Sequence, residues 1–129
     1  MIDPTRAWLF LPYVVRALVP PGVTGVYLLG RVAAECGAFI PRYVGRSDSD
    51  IRQRLSGHEK LALTTHFCVQ LCGSPEEAFM RECFYWHALR DEALLFNTIH
   101  PDSPGQAGLQ CPYCSASKQF REYISGRVA

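Results

Sequence analysis

Two runs rich in β-branched and aromatic residues, Val-Thr-Gly-Val-Tyr-Leu-Leu at 23–29 and Phe-Ile-Pro-Arg-Tyr-Val at 39–44, are joined through Gly30 and Gly37. Such runs suit a pleated, half-buried surface, so the stretch reads as a β-hairpin. Pro41 has no N–H for a ladder bond and belongs at the strand's start or on a sheet edge. Ser47 followed by Asp50 resembles a capping box, with Ile51, Leu55 and His58 at helical spacing behind it, which predicts a helix over roughly 48–60. Residues 65–71 read as a third strand. Ser74-Pro75-Glu76-Glu77 then supplies an N-cap, a proline at the first helical position and a glutamate at the third, opening a helix that runs to about Arg90. Strand, strand, helix, strand, helix is the order of an α/β layer with a small mixed or antiparallel sheet.

With 129 residues, 48% of them hydrophobic, the chain suits one domain with a sizeable core. A charged fraction of 19% argues against disorder, because the apolar surface can offset the chain entropy lost on folding. The formal charge of +1 excludes a uniformly basic nucleic-acid coat, so any phosphate-binding surface is a local patch. Residues 8–19 are apolar, but Pro12, Arg16 and Pro20-Pro21-Gly22 interrupt them, and the run is too short to span a bilayer. It either pads the back of the sheet or presents an interface. No export signal is visible, so the expectation is a cytoplasmic protein with its six cysteines as thiols or metal ligands. Breaks at 20–22, 73–75 and 101–108 divide the chain, and the last sets off a C-terminal element at 102–129.

Polar residues on apolar helix faces carry the chemical signal. At about 100° per residue from Phe79, Cys83 falls near about 40°, Trp86 near about 340° and Glu82 near about 300°, placing Glu82 inside the apolar stripe. A carboxylate there needs a compensating partner, either an arginine in a buried ion pair or a metal or phosphate-site ligand role. On the shorter helix, counted from Ile51, Arg54 and His58 lie one turn apart toward the core side, whereas Arg52 sits farther around as a solvated or phosphate-facing charge. An arginine and a histidine facing a carboxylate make either a structural network or a phosphodiester site, where arginine neutralises charge and histidine moves a proton. Tyr27 and Tyr43, taken singly, read as strand aromatics.

Taken together, Gly25-Val26-Tyr27, Tyr43-Val44-Gly45, Arg46-Ser47, Arg54-Leu55 with His58, Ala78 to Glu82, and Asn97 before Ile99-His100-Pro101 resemble the GIY-YIG endonuclease superfamily over about residues 22–101. The resemblance implies a three-stranded sheet flanked by helices, and a hydrolase that cuts a nucleic-acid phosphodiester, DNA in the first instance, with one magnesium or manganese ion. It makes Glu82 the ligand of that ion and Arg54 the stabiliser of the phosphorane-like transition state, with Arg52 as the fallback arginine. Tyr27 and Tyr43 would position or deprotonate the attacking water, Tyr27 being the expected base, and His58 would receive the proton. Arg46 would approach a backbone phosphate, and Asn97 would orient the site by hydrogen bonds.

Cys111-Pro112-Tyr113-Cys114 can ligate zinc or shuttle a disulfide. The same four letters match the glutaredoxin motif, which in that fold opens a helix near the N-terminus. Cys83 and His87 are spaced i, i+4 on one helix face, which points both at one ion and gives a Cys₃His set with Cys111 and Cys114. Some small GIY-YIG proteins look similar here. His100 is the substitute if His87 is not used. A closed four-ligand zinc would be structural, clipping the tail onto the helix. Cys36, Cys68 and Cys72 read as small buried hydrophobes. The leading expectation is a metal-dependent endonuclease that binds nucleic acid, with no membrane partner, alone or as a homodimer or part of a larger assembly. Two alternatives are a non-catalytic nucleic-acid-binding or protein-interaction domain on the same scaffold, and thiol redox chemistry at Cys111 and Cys114.

Overall fold

The computed structural model describes residues 2–3, 6–58, 63–90, 95–105 and 108–114. The elements are β1 (Trp8–Leu9), α1 (Pro12–Leu18), β2 (Gly25–Val32), β3 (Phe39–Ser47), α2 (Ile51–Ser56), β4 (His66–Leu71) and α3 (Pro75–Leu89). Four strands make one sheet in the order β1-β4-β2-β3, and every neighbouring pair is antiparallel. The expected three strands are therefore joined by a fourth, β1, whose Trp8 and Leu9 pair with Phe67 and His66.

Alternation along β2 sorts the core into two layers. Val26 and Leu28 face α3 and pack with Val44, Cys68, Ala78 and Tyr85. Tyr27 and Leu29 face the other way and pack with Val15, Val19, Ile51, Leu55 and Phe67. The N-terminal apolar segment thus pads the back of the sheet, with Phe10, Val15 and Val19 buried. Among the described residues, no helix is long and apolar enough to cross a membrane. Cys68 and Cys72 are buried as expected, but Cys36 is exposed, because it lies in the connection between β2 and β3 rather than under a helix.

β3 is an edge strand, which accommodates Pro41. The register shifts between Leu29 and Gly30, so that Leu29 pairs with Tyr43 and Gly30 with Pro41. The helix starts follow their local chemistry. Ser74 Oγ accepts from Glu77 N at 3.1 Å, and Pro75 occupies the first turn, where its missing N–H costs nothing. For α2, the N-cap is Asp50 rather than Ser47: Asp50 Oδ1 accepts from Gln53 N at 3.1 Å, and Ser47 Oγ instead accepts from Asp50 N at 3.0 Å. The helix spans only 51–56, shorter than the expected 48–60, of which 59 and 60 lie outside the described residues.

Candidate functional site

Because β3 is an edge strand, side chains from its two faces meet around it near Gly45. On the α2 face, the Tyr27 and Tyr43 rings stack with centroids 6.2 Å apart, and His58 stands edge-on to both, at 5.5 and 4.8 Å. Gly45 makes this possible: a Cβ there would fall onto Cζ and Oη of Tyr27. A close approach of ring to backbone therefore requires glycine at 45. On the α3 face, Arg46 Nη1 donates to Glu82 Oε1 at 2.7 Å, and Arg46 Nε donates to Asp48 Oδ1 at 2.7 Å. An open cleft of about 400 Å³ is lined from both faces by residues that include Tyr43, Arg46, Asp48, Arg54, Glu82 and Asp102. A second opening, lined by Tyr43, Arg54, Gly57 and His58, adjoins it through the two shared side chains.

Arg54 is exposed rather than turned to the core as its helical position suggested, since Ile51 and Leu55 take the buried face of α2. Its guanidinium lies at both phenols, and the closeness of the Tyr27 phenol is the main reason its pKa is raised. The Tyr27 hydroxyl is buried, and although Arg54 stands beside it, no described group meets it in the line of a well-formed hydrogen bond. Burial pushes the Tyr27 pKa up, outweighing the arginine, so the phenol is held neutral by its surroundings in the protein. Tyr43, half-buried, is the phenol that lines the cleft. Glu82 is buried as its place on α3 required, and burial pushes its carboxyl pKa up while Arg46 pulls it down.

The partner of Glu82 is thus an arginine, and it is Arg46, the residue expected to approach a phosphate. Arg52 Nη2 donates instead to the carbonyl of Arg16 on α1, so of the two arginines on α2 it is Arg54 that stands at the phenols. Asn97 hydrogen-bonds to β3: its Nδ2 donates to Val44 O at 2.8 Å, and its Oδ1 accepts from Val44 N at 3.3 Å. Asp48 and Asp102 are cleft residues that the sequence reading missed. Asp48 could have been found, since a position two residues beyond Arg46 falls on the same side of an extended chain, whereas nothing local marks Asp102.

The cysteines do not assemble as the helical spacing suggested. His87, His100, Cys111 and Cys114 place one ligand atom each within 4.8 Å of one another, a His₂Cys₂ set that could hold a metal such as zinc. His100 joins His87 rather than replacing it, and Cys83 drops out. Cys83 is fully buried beside Phe79 and hydrogen-bonds to the Cys111 sulfur; burial first, and that contact second, hold its thiol protonated. It packs against Cys111 and lies outside the group of four.

Comparison with family models, with curated proteins and with solved structures found no match to this chain.

Proposed function

We propose that the chain is a metal-dependent endonuclease of the GIY-YIG kind, hydrolysing a phosphodiester bond of DNA in the cleft around Gly45. The observation that carries this reading is that Tyr43, Arg54 and Glu82, from three separate elements, line one open cleft, with His58 in the adjoining opening and the buried Tyr27 ring stacked on Tyr43. The charge of the cleft supports a metal requirement. Asp48, Glu82 and Asp102 outnumber Arg46 and Arg54, so a phosphodiester is repelled until a divalent cation reverses the balance.

Glu82 would hold magnesium or manganese through Oε2, Oε1 being taken by Arg46. That ion, when bound, supplies Lewis acidity at the phosphoryl oxygens. Tyr43 orients the attacking water over the phosphorus; the water's proton ends on the His58 imidazole, the Tyr43 hydroxyl passing its own proton on as it accepts, and the leaving sugar oxygen takes a proton from solvent. The P–O bond to the leaving sugar breaks while Arg54 neutralises the charge gathering on the phosphorane-like transition state. Tyr27, kept neutral by burial, positions Arg54. Incubation with supercoiled plasmid and with branched DNA should give cuts with Mg²⁺ or Mn²⁺ and none with EDTA.

The Arg46–Glu82 pair favours a second reading, since an arginine already satisfies the carboxylate at 2.7 Å. On that reading the domain binds nucleic acid or protein without cutting. Binding of the same DNAs with no cleavage in either metal would select it.

A further inference from the structure

The four-residue His/Cys cluster has a spacing that one metal ion fits. His100 Nδ1 lies 2.7 Å from the carbonyl of Pro101, so that nitrogen carries the proton and Nε2 presents its lone pair. Cys114 Sγ is 3.2 Å from His100 Nε2 and 3.3 Å from His87 Nε2. Without an ion, the Cys114 thiol donates to one of these nitrogens and the other contact needs an Nε2–H on His87. A tetrahedral ion with bonds of about 2.3 Å to sulfur and about 2.0–2.1 Å to nitrogen satisfies both at once, and places sulfur and nitrogen ligands about 3.5 Å apart.

The cluster is also wired to the cleft. Trp86 stands edge-on to His87 and His100, at 5.0 and 5.1 Å, and its Nε1 donates to Asn97 O at 3.2 Å. Asn97 holds both backbone groups of Val44, the residue between Tyr43 and Gly45. Two residues past His100, Asp102 lines the cleft. The segment 97–102 therefore touches β3 at one end, the cleft at the other and the cluster between them.

We propose that His87, His100, Cys111 and Cys114 hold one zinc ion, and that the ion fixes the segment 97–102 so that Asn97 clamps β3 and Asp102 stands at the rim of the cleft. Both sulfurs enter as thiolates, releasing their protons to solvent. The proposal concerns positioning and does not depend on the cleft being a nuclease site.

The test is metal content and cobalt spectroscopy on the full chain, followed by amide exchange. Purified protein should carry one zinc per chain, and cobalt in its place should give the intense visible bands of a tetrahedral site with thiolate ligands. His100→Ala should lose the metal, while Cys83→Ala should keep it. Loss with Cys83→Ala and retention with His100→Ala would overturn the ligand set, as would protein without zinc that takes up no cobalt. For the coupling, removing zinc with a chelator should speed exchange at the Val44 N–H at least about tenfold while β2 stays protected. Asn97→Ala should do the same with zinc still bound, which keeps the test alive if the metal-free chain unfolds. Unchanged Val44 exchange in Asn97→Ala, or a uniform loss of protection across β2 and β4 on chelation, would overturn the coupling.

Discussion

The two polar regions of this chain are built on opposite principles. The cleft is set by packing: β2, β3 and α2 bring the two tyrosines, His58 and Arg54 together over a buried layer of Leu29, Ile51, Leu55 and Phe67. The His/Cys cluster joins the last turn of α3 to His100, Cys111 and Cys114, which lie in no strand, and among the described residues its apolar core is Phe79, Cys83, Cys111 and a few half-buried neighbours. A fold can hold the first region without a metal, whereas in the second the proposed ion would substitute for a core. α3 carries Glu82 for one and His87 for the other, and so ties them together.

The largest effect should come from the cleft's exposed cation. Arg54→Ala is expected to slow cleavage about 10²–10³-fold, equivalent to about 2.7–4 kcal/mol, the range for removing a transition-state donor. Thermal stability and zinc content should barely change, because the side chain is exposed. Normal cleavage would place the charge stabilisation elsewhere. Next comes the packing itself. Gly45→Ala forces a Cβ into the Tyr27 ring and should cost about 1–3 kcal/mol or more in urea unfolding, with zinc retained. A neutral effect would mean that Tyr27 is not seated over β3.

The smallest effect concerns pH. Burial raises the Glu82 pKa above its ordinary 4.5, so the folded chain holds that proton more tightly than the unfolded one. The contribution of Glu82 to stability is therefore fully present below the unfolded value and is lost as pH rises through the folded one. The stability of the native chain relative to Glu82→Gln should fall between acid and neutral pH in parallel denaturation series. A difference that grows with pH would mean that Arg46 overcompensates burial.

How far these features could be read beforehand depended on whether their causes were local. Ser74 and Pro75 start α3 through contacts within one turn, and the hairpin follows from residues that neighbour one another. Glu82 was legible as an anomaly, but its partner was not, because Arg46 lies 36 residues away and any arginine would have met the same requirement. The Ser47 box failed for a subtler reason: two capping-competent residues stood three apart, and the second won. Cys83 and His87 share a helix face, yet only His87 reaches the cluster. The path of the chain from Asn97 to Cys114, rather than helical spacing, decides which fourth side chain arrives. β1 was missed because two residues carry no periodicity; their pairing with β4 is what makes them a strand.

The most direct measurement compares supercoiled-plasmid cleavage in Mn²⁺ by the native chain and by Glu82→Gln, with circular dichroism and bound zinc matched between them. A metal-dependent nuclease centred on Glu82 predicts a loss of at least about 100-fold in the variant. Equal rates in the two proteins would contradict it.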